Sequence, residues 1–194
     1  MFWTAPNILT LVRIVLIPVL VLVFYLPTGW AHQTSAAIFG AAALTDWLDG
    51  YLARRLRQVS VFGAFLDPVA DKLMVAVALV LLVQDNPSLL FVVPAVIIIG
   101  REIAISALRE WMSELGERTK VAVSIIGKVK TITQMVAILF LLYKVPLGVF
   151  PTHDVGLVLL YVAASLTLWS MFVYMRAAWP ILSGNSGGEP GQGA

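Results

Sequence analysis

The sequence predicts an all-α integral membrane protein with six transmembrane helices, and three observations carry that reading. Of its 194 residues 60% are hydrophobic and only 12% are charged, whereas soluble domains run at about 45–50% apolar and about 25% charged. The mean hydropathy is +0.91, and so few polar side chains cannot cover the surface of a water-soluble enzyme. The apolar runs are long and do not alternate apolar with polar residues, which favours helices over a barrel. The same composition excludes a disordered chain. At about 20 apolar residues per span, six helices take about 120 residues and leave about 74 for loops and tails. One membrane domain over 1–182 is therefore expected, followed by a flexible Gly-rich tail over 183–194.

The spans read in order as 8–26, 34–56, 65–84, 89–110, 121–143 and 154–177. Turn chemistry separates them on one side of the membrane: Pro27-Thr28-Gly29, then Asp85-Asn86-Pro87-Ser88, then the stretch from Pro146 to Pro151. Pro18 and Pro94 fall inside spans, where neighbouring helices tolerate a kink. Met1 to Asn7 lacks the basic region and small-residue cleavage site of a secretory signal, so the first helix is expected to be retained. With both termini cytoplasmic, Lys144 alone of the 13 Lys and Arg falls in an outer loop, as the positive-inside rule demands. Trp3, Trp30, Trp111 and Trp179 lie near span ends as an aromatic belt would. A net charge of +2 is too balanced for a nucleic-acid partner. The absence of cysteine removes disulfides and thiolate metal sites.

The informative residues are polar ones set in apolar sequence. The second span ends with Asp46 and Asp49, spaced i and i+3, and the third opens with Asp67 and Asp71, spaced i and i+4. Each spacing puts a pair on one helical face, and the short connection makes the two helices antiparallel neighbours. An acidic residue at the centre of a span costs about 2.5–3.5 kcal/mol, so four at one depth need compensation. Hard oxygen ligands select magnesium or manganese over zinc. Gly50 and Gly63 give backbone room for a ligand, and Arg54, beside Ala53, can pair with a phosphate. The competing reading is structural: the carboxylates form salt bridges to Arg54, Arg55 and Lys72, or line an ion pathway.

These residues form the pattern D-x2-D-G-x2-A-R-x8-G-x3-D-x3-D, read from Asp46, Asp49, Gly50, Ala53, Arg54, Gly63, Asp67 and Asp71 with every spacer intact. The pattern resembles the signature of the CDP-alcohol phosphatidyltransferases. Pro6 to Arg13, Leu66 to Lys72, Arg101-Glu102 through Arg109-Glu110, and Gly127 to Thr131 extend the resemblance towards a bacterial branch of that family. The resemblance implies a dimeric six-helix enzyme of the bacterial inner membrane, with its active site open to the cytoplasm. It implies transfer of a phosphatidyl group from CDP-diacylglycerol to sn-glycerol 3-phosphate with release of CMP. It also implies two Mg2+ or Mn2+ ions held by Asp46, Asp49, Asp67 and Asp71, with Asp71 as general base. By motif position, Gly50, Ala53, Arg54 and Gly63 would bind CDP-diacylglycerol.

An acceptor that carries a phosphate calls for a cationic pocket. Arg101 and Arg109 lie eight residues apart on one face of the fourth helix, and Lys128 enters the fifth from the same side; these three are the expected acceptor-phosphate ligands. Glu102 or Glu110 is the alternative partner of those arginines. Lys130 is open between lipid headgroups and substrate, and Arg13 between headgroups and a donor phosphate. His32 and His153 fall in outer loops, far from the aspartates. Rival functions are the same chemistry with serine, inositol phosphate or phosphatidylglycerol as acceptor, a divalent-cation transporter, and a non-catalytic membrane adaptor.

Overall fold

The structure, a computed structural model, describes residues 5–56, 61–114 and 125–182. The described residues form six helices: α1 (Ala5–Phe24), α2 (Ala31–Leu56), α3 (Val61–Asp85), α4 (Leu89–Glu114), α5 (Ile125–Tyr143) and α6 (Thr152–Leu182). Among the described residues the one extended pairing is an isolated bridge between Leu147 and Phe150. Every expected span falls inside or across one helix. α2, α3, α4 and α6 run past their apolar stretches because backbone hydrogen bonding continues into the polar interface, whereas α1 starts earlier than expected and stops at Phe24, short of the expected 26. Residues 121–124, expected to open the fifth helix, and the tail 183–194 lie outside the described residues.

Length and composition place these helices in a bilayer. The 26 residues of α4 extend about 39 Å at a rise of about 1.5 Å per residue, enough for a hydrocarbon core of roughly 30 Å. Windows long and apolar enough to cross a membrane occupy Asn7–Phe24, Leu89–Glu114 and Thr152–Arg176, and α5 contributes a shorter apolar stretch, Val129–Tyr143. α2 and α3 are of similar length but carry the aspartates and basic residues of the motif. Large apolar side chains such as Leu22, Phe65, Leu89, Val96, Trp169 and Phe172 point outward, which suits contact with lipid and not with water.

The three tight connections share one end of the bundle. Ser88 begins α4 by offering its carbonyl to the N–H groups of Phe91 and Val92, both at 3.0 Å, which satisfies donors that a helix start leaves open. Lys144, at φ 61°, and Gly148, at φ 63°, let the chain reverse between α5 and α6, and Lys144 Nζ is fastened to Asp85 Oδ2 at 2.8 Å. Beneath these turns lies the apolar core: Phe39, Leu79, Leu82, Ile98, Ile138, Leu142 and Leu160. Packing this half with hydrocarbon leaves the polar side chains of the helices to meet at the opposite end, where α2 connects to α3.

The α5–α6 contact depends on a small residue. A Cβ placed on Gly156 would stand 2.9 Å from Leu141 Cγ and 3.1 Å from Phe140 Cβ, closer than van der Waals contact allows. Gly156→Val is therefore expected to push these helices apart and to cost about 1–3 kcal/mol, with Gly156→Ala milder because Leu141 can rotate. Thermal unfolding in detergent reads the order; equal transition temperatures for all three proteins would show that the helices do not meet as described.

Candidate active site

The polar end is built from α1, α2 and α3. Gly63, Asp67 and Asp71 follow one another at four-residue intervals and so share a face of α3. Asp46 comes from α2. Between these two helices stands Arg13 of α1, whose side chain is only 1% exposed. Its Nη1 donates to Asp71 Oδ1 and lies 3.2 Å from Asp46 Oδ1. One turn earlier the fully buried Thr10 donates its hydroxyl to Asp67 Oδ1. Three aspartates of the motif are thus gathered by two side chains of the first helix. Asp46 and Asp71 remain 43% and 37% exposed, so the site is open on one side.

This arrangement changes the expectations for individual residues. Arg13 does not extend to lipid headgroups: it is buried inside the bundle, with Nη1 on the carboxylates of Asp71 and Asp46. Among the described residues the basic partner of Asp46 and Asp71 is Arg13; the side chains of Arg54 and Arg55 lie outside the described residues. Lys72 turns to α4 and donates to Ser106 Oγ, whose own proton goes to Glu102 O at 2.6 Å. Thr45 satisfies itself on α2 by donating to Ala42 O at 2.7 Å. Neither Thr10 nor Ser106 was marked by the motif; the i, i+3 pair of Thr10 and Arg13 in an otherwise apolar helix was the available signal. Asp49, Gly50, Ala53 and Arg54 sit on α2, and Lys128 on α5, with side chains outside the described residues.

A second polar group joins α4, α5 and α6. Glu102 Oε1 accepts from Arg101 Nη1 at 3.0 Å and from Lys130 Nζ at 2.5 Å. Glu102 is therefore the partner carboxylate for this face of α4. Lys130, 5% exposed, does not snorkel to lipid, because its ammonium is held inward by that carboxylate. Arg101 Nη2 also donates to Ser170 Oγ at 3.1 Å. Arg109 Nη2 donates to Tyr174 Oη at 3.0 Å. Among the described residues the buried Arg101 Nε has no hydrogen-bond partner. Here two cations, Arg101 and Lys130, share one carboxylate, while Arg109 is turned to Tyr174. The two histidines lie elsewhere: His32 packs edge-on against Phe24 at 5.4 Å, and His153 lies beside Phe91 at 6.0 Å.

Residues 3–169 match the family model described as CDP-alcohol phosphatidyltransferase. The chain belongs to the CDP-alcohol phosphatidyltransferase family. It is similar to a CDP-diacylglycerol–glycerol-3-phosphate 3-phosphatidyltransferase of Salmonella choleraesuis, 56% identical over 178 residues, covering 92% of this chain and 96% of the relative. A relative of the same name in Pseudomonas fluorescens is 54% identical over 178 residues, 91% of each chain. Another from Yersinia pestis is 57% identical over 177 residues, 90% of this chain and 94% of the relative. Dependence on a divalent metal is general in the CDP-alcohol phosphatidyltransferase family.

The donor set of this chain fits such an ion. Carboxylate oxygens of Asp46 and Asp71, carried by different helices, already converge on a single cationic nitrogen, and hard oxygen donors suit magnesium or manganese. Among the described residues no three His, Cys, Asp or Glu side chains gather closely enough to hold a metal by themselves. Asp49, the remaining motif carboxylate, is one turn from Asp46 on α2.

Removing Arg13 tests what holds the carboxylates together. Arg13→Gln leaves Asp46 and Asp71 facing each other, and its cost, between that of an exposed and a buried ion pair, is about 1–3 kcal/mol. In chelator the variant is expected to unfold below wild type, and added magnesium to recover part of the difference. Coincident unfolding curves in chelator would show that the bridge contributes nothing.

Proposed function

We propose that this protein transfers the phosphatidyl group of CDP-diacylglycerol to sn-glycerol 3-phosphate, giving phosphatidylglycerophosphate and CMP. The observation that carries the proposal is the convergence of Asp46, Asp67 and Asp71 on one polar end of a membrane bundle, within a chain that matches relatives of that name along nearly its whole length. Asp46, Asp49, Asp67 and Asp71 would hold two divalent ions, Mg2+ or Mn2+. Bound there, the ions neutralise charge on the diphosphate and on the departing CMP.

The remaining chemistry falls to side chains of the chain itself. Gly50, Ala53, Arg54 and Gly63 seat the cytidine nucleotide, with Arg54 on its phosphates. The acceptor hydroxyl oxygen attacks the phosphorus that carries diacylglycerol. The bond from that phosphorus to the CMP oxygen breaks, and the hydroxyl proton passes to Asp71. Arg13 holds Asp71 by Oδ1 and so orients the carboxylate that receives the proton. Arg13 and Thr10 also fix the carboxylate rotamers before substrate arrives, and such positioning carries much of the advantage of a bound reaction.

The acceptor's phosphate belongs on Arg101 and Arg109, with Lys128 of α5 as a third candidate ligand. The supporting observations are that Arg101 and Lys130 share the one carboxylate Glu102 and that, among the described residues, the buried Nε of Arg101 has no partner. A phosphate oxygen would satisfy that donor, and a buried donor left unmade costs about 1–3 kcal/mol. Serine, which has no phosphate, would use none of this. The proposal further places the protein in the bacterial inner membrane, with the polar end facing the cytoplasm and the protein assembled as a homodimer.

Purified protein in detergent, given CDP-diacylglycerol and magnesium, is expected to release CMP with glycerol 3-phosphate and not with serine, inositol phosphate or phosphatidylglycerol. Chelator is expected to abolish release, and Asp71→Asn to lower it by about 10²–10⁴-fold. Release with another acceptor would discard the acceptor assignment. Metal flux through vesicles without CMP release would favour the transporter.

A further inference from the structure

Tyr174 of α6 touches both arginines of the cationic face. The guanidinium of Arg101 lies 5.5 Å from the Tyr174 ring centroid and that of Arg109 lies 5.4 Å from it. The two arginines start about 12 Å apart along α4 by helical rise, so their side chains must lean towards each other to reach one ring. Like charges drawn together in this way need a restoring attraction. The electron-rich ring face supplies it, and the Tyr174 hydroxyl adds a hydrogen bond from Arg109 Nη2 at 3.0 Å. One turn earlier Ser170 completes the support. Its proton is committed to Thr167 O at 2.9 Å, so towards Arg101 Nη2, at 3.1 Å, its oxygen acts as acceptor.

Building on the acceptor reading above, we infer that Tyr174 is a positioning residue that gathers Arg101 and Arg109 into one clamp for a phosphate monoester dianion, with Ser170 steadying Arg101. Tyr174 neither binds the reacting atoms nor holds a metal. It sets the spacing at which two guanidiniums can grip one phosphate, and so the preference for a phosphorylated acceptor over a neutral alcohol. Glu102 fixes the other side of Arg101 through Nη1, so that Arg101 is pinned from α4 and α6 at once.

Steady-state kinetics of the full chain in mixed micelles test this, with inorganic phosphate as a competitive probe. Tyr174→Leu is expected to raise the KM for glycerol 3-phosphate and the Ki for phosphate together, each about tenfold. Its kcat and its KM for CDP-diacylglycerol should stay within about twofold of wild type. Tyr174→Phe keeps the ring and is expected to fall between the two. Ser170→Ala is expected to move the same constants about threefold, and it carries the test should Tyr174→Leu fail to fold. Unchanged KM and Ki, or a fall in kcat alone, would overturn the inference. A wild type that ignores glycerol 3-phosphate yet binds phosphate in a Tyr174-dependent way would support the clamp while removing the acceptor assignment.

Discussion

Carboxylates from α2 and α3 repel one another inside a membrane, where little water is present to screen them, and the rest of the polar end follows from how that repulsion is met. Arg13 meets part of it. A buried guanidinium is itself costly, and attraction to two carboxylates from different helices offsets that cost only because the geometry is close. The pairing therefore ties three helices at one point. α1 cannot slide without separating Arg13 from Asp71 or Thr10 from Asp67, and α2 cannot turn without exposing Asp46 to an unbalanced charge.

Among the described residues Arg13 is the arginine on which Asp46 and Asp71 of the motif converge. The motif brings four carboxylates, Asp46, Asp49, Asp67 and Asp71, and carries one cation of its own, Arg54. On the α4–α6 face Arg101 and Lys130 share the carboxylate of Glu102, and Arg109 is held by Tyr174. The two groups are linked through Lys72, which follows Asp71 on α3 and bonds Ser106 on α4 one turn from Glu102. In the proposed reaction, the end that draws cations takes the diphosphate donor with its metals, and the end that draws anions takes the phosphate of the acceptor.

Much of this was legible in the sequence for a definite reason. Apolar runs report directly on lipid contact, so all six helices could be placed, and the aspartate spacings report on helical faces, so Asp67 and Asp71 could be put together. What the sequence concealed were contacts between helices distant in the chain. Thr10 and Arg13 reach residues 57 and 58 positions away, and no local pattern names such a partner. Lys130 looked free to reach lipid because its nearest carboxylate, Glu102, lies on another helix. Tyr174 gave no signal, since a tyrosine near the end of a span is ordinary interfacial chemistry.

The first and last helices illustrate why motif residues alone do not make a site. α1 and α6 contribute nothing to the signature, yet each supplies side chains that orient charged groups on its neighbours: Thr10 and Arg13 for the aspartates, Ser170 and Tyr174 for the arginines. Such helices must satisfy two solvents. α6 turns Trp169 and Phe172 outward while Ser170 stays buried against Arg101, and Thr167 and Ser170 both return their protons to the backbone of their own helix. Polar atoms that are satisfied locally add little insertion cost and still offer an oxygen to a guanidinium. This lets a helix that is apolar enough to span the bilayer also serve as one wall of a charged site.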